Sequence, residues 1–357
     1  MQRQKRLYSL IFFTGFFMSG CNQAGIFTPT APFVTSNNSP GILATITPLE
    51  STREILEPTT SANSIIPPTS TTTTSEVQQW QLTYVSDKNS GLHGIYAINI
   101  CNQSPTQFCQ EESSLLLEFD RPISDIDWSP DGQRVVFVSE GNLYIADWDG
   151  QNIIRIPSQP GSEFAPQWSP NGKQIAYIYV SDKIPAQVRI CNVDTMEVRR
   201  VFNDVLHPKR IYWLAGGGFA YIAPISDVDR TEFINIVDSD GMIIQQFPRN
   251  PVEFESLLDM DYLIDTQQIV FSAVTRMPSF GTLNDIYVIN ESENINLTNG
   301  LGNNLAPTWS PSGFWITFMS NRSGNYEIYA ITPDGTDLLQ ITHNPANDTY
   351  PVWRIFR

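Results

Sequence analysis

The sequence predicts an all-β fold: a six-bladed β-propeller of four-stranded blades, its ring closed by the C-terminal strand, preceded by a disordered stalk. Three observations predict it. An aromatic residue recurs at Trp128, Trp168, Trp213, Tyr262, Trp309 and Trp353, a period of 40 to 49 residues. Each of the first five is followed by three short apolar runs separated by turn residues, which together with the aromatic segment make one four-stranded meander. The chain from residue 22 to residue 78 has neither the period nor the strand-like apolar runs.

One unit shows the pattern in full. Asp127-Trp128-Ser129-Pro130-Asp131-Gly132 is a turn in which proline presets φ and glycine tolerates the positive φ that follows. The apolar run 135–138 comes next, then Leu143-Tyr144-Ile145-Ala146, a turn at Asp147-Trp148-Asp149-Gly150, and a last strand over 153–156. Ser169-Pro170-Asn171-Gly172 and Ser310-Pro311-Ser312-Gly313 repeat the opening turn. Second strands are expected at 135–139, 175–179, 219–223, 269–273 and 316–320, third strands at 143–146, 188–191, 233–236, 286–289 and 328–331. Fourth strands follow at 153–156, 198–202, 243–247, 295–298 and 338–342. The second strands are apolar at nearly every position and do not alternate. A strand sandwiched between neighbouring blades buries both faces and requires that composition.

The two ends of this region complete each other. Trp353 opens a unit with nothing after it, and Leu82-Thr83-Tyr84-Val85-Ser86 reads as a second strand with no aromatic turn before it. Residues 351–356 are therefore expected to supply the innermost strand of a blade built otherwise from 82–119. That closes six blades and leaves no open sheet edge at the seam.

Pro166-Gln167-Trp168-Ser169-Pro170-Asn171-Gly172 and Glu327-Ile328-Tyr329 resemble the TolB-like propeller repeat over residues 79–357. The fourth and fifth units depart from it, with Trp213-Leu214-Ala215-Gly216 and Tyr262-Leu263-Ile264-Asp265 at the turn. The resemblance implies the fold and leaves function open, because the same repeat serves binding proteins, peptidases and lyases.

The N-terminus speaks to compartment. Arg3, Lys5 and Arg6 precede an apolar run over 7–18, shorter than the ~20 residues needed to span a bilayer. The run ends in Met18-Ser19-Gly20-Cys21, which resembles the lipobox of bacterial lipoprotein signal peptides. The resemblance implies cleavage after residue 20 and diacylglycerol, as palmitate-type chains, on the Cys21 thiol. Two or three such chains hold a protein stably on a membrane. Asn22 permits, without requiring, display at an outer surface. Residues 21–78 form the expected stalk: 27 of the 57 residues from 22 to 78 are Ser, Thr or Pro. Such a segment cannot bury enough apolar surface to offset its ordering entropy.

Loss of residues 1–20 would leave 18 basic against 37 acidic residues, a net charge of −19. Nucleic acid and anionic lipid would be repelled by such a body. The partners expected are a protein, peptide or glycan of the envelope or exterior, with the membrane reached through the lipid, no cofactor, and a monomeric propeller. Cys101 and Cys109 lie in one long loop, and in an oxidising compartment a disulfide between them is the nearest of three possible pairings. Closing that loop would stabilise by roughly 2–3 kcal/mol. Cys191, inside a third strand, is expected to be an inert buried thiol.

Loop lengths single out one rim. The turns between first and second strands are short and alike, whereas the connections over 180–187, 224–232, 274–284, 203–210 and 249–259 differ widely. Dissimilar loops on a rigid ring are where recognition resides. Glu163, Phe164, His207, Arg210, Glu253, Phe254, Arg276 and Phe280 bring charge and aromatic surface to that rim and form the candidate binding set. No catalytic motif is present: no Gly-x-Ser-x-Gly elbow occurs, and the Asp-x-Asp-Gly turns at Asp147 and Asp238 lack later carboxylate ligands for calcium. An alternative is a lyase-like carbohydrate-active enzyme at the pore mouth. His93, His207 and His343 map to the variable rim but lack the spacing of a metal site.

Overall fold

The computed structural model describes residues 79–89, 92–99, 113–201, 207–226, 228–248, 254–263, 266–277, 281–290 and 293–356. Residues 1–78, with Cys21, lie outside them, as do Cys101, Cys109, Glu253 and Phe280. The described residues belong to the second of two units in the chain, Thr72–Arg357.

They form six four-stranded antiparallel sheets arranged as a β-propeller. Blade 1 consists of β1 (Gln79–Asn89), β2 (Leu92–Asn99), β3 (Ser114–Phe119) and the C-terminal β24 (Asp348–Phe356). Blade 2 is β4 (Ser124–Trp128) to β7 (Ile154–Arg155), and blade 3 is β8 (Ser162–Trp168), β9 (Gln174–Ser181), β10 (Ile184–Asn192) and β11 (Val198–Arg200). Blade 4 runs from β12 (Arg210–Trp213) to β15 (Ile243–Phe247), blade 5 from β16 (Phe254–Leu263) to β19 (Glu293–Asn296), and blade 6 from β20 (Asn304–Trp309) to β23 (Leu338–Gln340).

The sequence pattern explains the packing. Alternate side chains of each second strand go to opposite neighbours: Val135 and Phe137 pack toward blade 1, Val136 and Val138 toward blade 3. Ile175, Tyr177 and Tyr179 likewise face blade 2, while Ala176 and Ile178 face blade 4. Six clusters of buried side chains result among the described residues, one between each pair of adjacent blades. The last joins blade 6 to blade 1 through Met319, Ile328, Leu82 and Tyr84. The continuous apolar runs thus become the ring's six interfaces.

The seam forms as the chain ends suggest. β24 pairs with β1 from Gln79↔Phe356 to Ser86↔Asp348, so the C-terminal strand is innermost in blade 1. Arg354 fixes it to blade 2, donating to the Gly132 carbonyl at 2.9 Å and lying 4.5 Å from the Trp128 ring centre. Gly132, at φ +67°, sits where a Cβ would fall 1.8 Å from the Ile355 carbonyl oxygen, so no other residue fits this approach.

Two connections are tighter than their sequences suggest. Segments 180–187 and 274–284 are mostly strand, since β9 extends to Ser181, β10 starts at Ile184, and β17 (Gln268–Met277) pairs with β18 (Gly281–Asn290) from end to end. Main-chain pairing carries these hairpins past the point where the apolar pattern stops.

Candidate functional site

Each opening aromatic lies on an innermost strand, at its last residue in blades 2, 3, 4 and 6, and the residues just before it line the central channel. The positions three before the aromatic are Asp125, Ala165, Arg210, Asp259, Ala306 and Tyr350; those one before it are Asp127, Gln167, Tyr212, Asp261, Thr308 and Val352. All twelve line one cavity of about 470 Å³. The inner strands run from the variable rim toward the Ser-Pro turns. The first ring therefore lies nearer the variable rim, while Leu263, Ser310, Pro311, Trp353 and Trp80 line the turn end.

Local backbone distortion presents the first ring. Asp125, Ala165, Ala306 and Tyr350 have φ between 43° and 51°, in the left-handed region that non-glycine residues rarely adopt. Each coincides with a break in pairing register, a bulge that re-aims its side chain. Residues held in such conformations cost of order 1–3 kcal/mol each and cluster at functional sites.

Charge in the channel is concentrated on blades 2, 4 and 5. Arg210 of blade 4 donates from Nη1 to Asp125 of blade 2 at 2.6 Å and from Nε to Asp259 of blade 5. It thereby ties together two blades that face each other across the channel. Asp259 also accepts the Ala306 N–H at 3.3 Å. Below this triad, Asp127 accepts the Trp168 N–H at 2.6 Å and Asp261 the Trp309 N–H at 2.7 Å, each carboxylate gripping the next blade. Burial pushes Asp127 up to about 7 against the pull of the Trp168 and Trp128 N–H groups, and the charge of Asp261 adds to the rise. Burial raises Asp261 as well, opposed by hydrogen bonds from Trp309, Tyr262, Thr308 and Tyr212. Beside the channel, Lys209 pairs with Glu232 and donates to Ser256 at 2.7 Å.

The candidate residues read from the sequence scatter. Arg210 lies in the channel. Glu163 is 1 % exposed, and its carboxylate accepts the Leu143 N–H of blade 2 at 3.1 Å, an inter-blade tie. Phe164 packs against the interface of blades 3 and 4, and Phe254 lies edge-on to Phe271 and Tyr287. His207 is exposed at φ 42°, and Arg276 pairs with Thr282 in the β17–β18 hairpin. Cys191 is buried with a free thiol, pushed by burial up to about 11. Among the described residues, no group of three or more His, Cys, Asp or Glu side chains gathers as metal ligands do. The channel residues Asp125, Asp127, Asp261, Tyr212 and Tyr350 were absent from the candidate set. The signal for the three aspartates was the Asp-x-Asp-aromatic spacing shared by Asp125-Ile126-Asp127-Trp128 and Asp259-Met260-Asp261-Tyr262; Tyr212 and Tyr350 lie outside that pattern.

This ring of six closed blades with a lined channel is a TolB-like propeller in fold. Residues 84–165 match the family model of the dipeptidyl peptidase IV (DPP IV) N-terminal region. The chain is 24% identical over 212 residues to dipeptidyl-peptidase 5 of Porphyromonas endodontalis, covering 56% of this chain and 30% of that protein. It is 24% identical over 222 residues to the Tol-Pal system protein TolB of Francisella tularensis subsp. holarctica, covering 59% and 48%. The chain therefore spans less than half the length of either relative. The crystal structure of TolB from Acinetobacter baumannii superposes with a TM-score of 0.61 at 17% identity, covering 77% of this chain and 66% of that one. At that identity the likeness is one of fold.

Proposed function

We propose that the chain is an exported, lipid-anchored protein whose propeller is a binding module. It takes part of a protein, peptide or glycan at the channel mouth on the variable rim. The observation that carries this reading is the Asp125–Arg210–Asp259 triad: charged groups drawn from three blades into a strained ring around a cavity of about 470 Å³. The bulges turn Asp125 and Tyr350 toward the channel, where Asp125 meets Arg210 of blade 4 rather than a neighbour within its own sheet. A few oriented polar groups in a preformed concavity are what a recognition site requires. Export is supported by the lipobox-like Met18–Cys21 segment and by likeness to a protein named for the Tol-Pal system. A binding role is supported by the engagement of Asp127 and Asp261 with backbone N–H groups, which holds them as wall rather than as mobile acid and base.

The test is a screen of the full chain in detergent against glycan and peptide arrays, followed by affinity measurement on each hit. Arg210→Met and Asp259→Asn should weaken a true ligand about tenfold or more, as expected for loss of a charge-assisted contact. Lys173→Ser, on a turn, should leave affinity unchanged. Hits indifferent to both channel substitutions would contradict the proposal.

A further inference from the structure

Each blade ends in an outer strand paired on one side only: β3, β7, β11, β15, β19 and β23. Such edges invite pairing with another chain, and proteins guard them with charge, proline or shortness. Four of the six carry charge: Glu118 in β3, Arg155 in β7, Arg199 and Arg200 in β11, and Glu293 in β19. β23 is uncharged but has only three residues. β15 has five residues, with neither charge nor proline.

Its side chains add to this. Met242, Ile243 and Ile244 are 67%, 51% and 66% exposed, and Ile225 and Val228 stand exposed in the loop before β14 (Glu232–Val237) of the same blade. β15 pairs with β14 from Ile234↔Phe247 to Val237↔Ile243, and its one guard is a bulge that leaves Ile244 out of the ladder. Exposed apolar surface concentrated in this way marks an interaction site.

Charge selects the occupant. Residues 79–357 hold 17 basic and 33 acidic side chains, so two copies of the chain repel each other over most of their surface. Around β15 the charges are instead divided between its ends. At the turn that opens the strand, Asp238 accepts the Asp240 and Met242 N–H groups, and Asp240 is exposed. Arg230 is exposed at the other end, in the loop before β14. Its neighbour Asp229 accepts the Thr231 N–H at 2.9 Å, whereas Arg230 has no ion pair among the described residues. Antiparallel pairing about a two-fold axis lays the acidic end of each copy against the basic end of the other. A parallel approach would oppose aspartate to aspartate.

We propose that two copies of this chain pair edge to edge through β15, antiparallel about a two-fold axis, joining their fourth blades into one eight-stranded sheet. The contact is on the side of the propeller and independent of the channel. It replaces the monomer that the sequence leads one to expect.

The experiment is sedimentation velocity of the full-length protein in density-matched detergent over a range of concentrations. A contact of one short strand should give a reversible dimer with a dissociation constant on the order of 10–100 μM. Ile244→Lys, which puts a charge on each edge, should weaken it at least tenfold with an unchanged thermal midpoint. Leu339→Lys, on β23, should dimerise as the parent does. Asp240→Arg and Arg230→Asp should each weaken the dimer about threefold or more, and the two together in one chain should restore it. A monomer up to on the order of 500 μM, a dimer that survives Ile244→Lys, or a double variant no better than the single ones would overturn the proposal. So would a monomer whose 242–247 amides gain exchange protection only when envelope extract is added, which would assign the edge to a different chain.

Discussion

At the turn rim, Ser129, Ser169 and Ser310 do the same work in three blades. Each serine carbonyl accepts the N–H of the glycine three residues on, at 2.7, 2.9 and 2.8 Å. Each hydroxyl accepts the N–H five residues on, of Arg134, Gln174 and Trp315, all at 2.9 Å. At the other end of the same strands, the six equivalent positions hold two aspartates, two alanines, an arginine and a tyrosine. The turn rim is uniform because a tight hairpin admits few residues. The channel side varies because the apolar clusters between blades carry most of the packing, so the residues lining the centre can differ from blade to blade. Structure is specified at one rim, which leaves the other free to differ.

The largest predicted effect tests whether the ring must be closed. A chain ending at Tyr350 loses most of β24, uncovering β1 and two blade interfaces. The loss should exceed the ~5–15 kcal/mol by which domains are stable, leaving no cooperative melt by circular dichroism. A melt within a few degrees of the parent would mean that the seam is dispensable.

Gly132 and Gly172 sharpen the comparison within the turn rim. Both have φ near +68°, yet a Cβ on Gly172 meets only Pro130, at 3.6 Å, while one on Gly132 strikes the seam. Gly132→Ala should cost about 3–5 kcal/mol and Gly172→Ala about 1 kcal/mol in urea unfolding, the excess reporting the approach of β24.

On the channel side, Arg210→Met leaves Asp125 and Asp259 facing each other unpaired and should cost about 2–3 kcal/mol. The same substitution in an Asp125→Asn, Asp259→Asn background should cost much less, since the repulsion is gone.

The smallest effect is one of pH. Asp127 has a folded pKa of about 7, above the ordinary carboxylate value of about 3.9. Across that window the unfolded chain ionises while the folded one keeps its proton, so stability is highest at the acid end and falls as pH rises toward 7. Asp127→Asn should flatten this decline, gaining on the order of 1–2 kcal/mol over the parent at pH 8 in chemical denaturation. An unchanged pH profile would show that Asp127 does not cause it.

The blade count, the seam and the second strands were legible because sterics write them locally: a Pro-x-Gly turn and a doubly buried strand each admit few sequences. Glu163, Phe164 and Phe254 were misleading for the converse reason. Their partners Leu143, Tyr287 and the blade 3–4 interface lie far along the chain, so a buried tie and a core ring look like exposed recognition groups. The channel was hidden by taking the aromatic as the start of each unit. The aromatic lies at or near the end of the inner strand, and Asp125, Asp127, Asp259 and Asp261 precede it. The left-handed bulges leave still less trace, because Ala165 and Ala306 carry no residue-type signature of positive φ.

The division of labour between the rims is tested most directly by amide hydrogen exchange on the full chain with and without a bound array hit. Recognition at the channel mouth predicts ligand-induced protection in 207–213, 254–263 and 348–352, with the turns at 129–134, 169–174 and 310–315 unchanged. Protection confined to those turns, with the inner-strand segments exchanging as in the free protein, would contradict it.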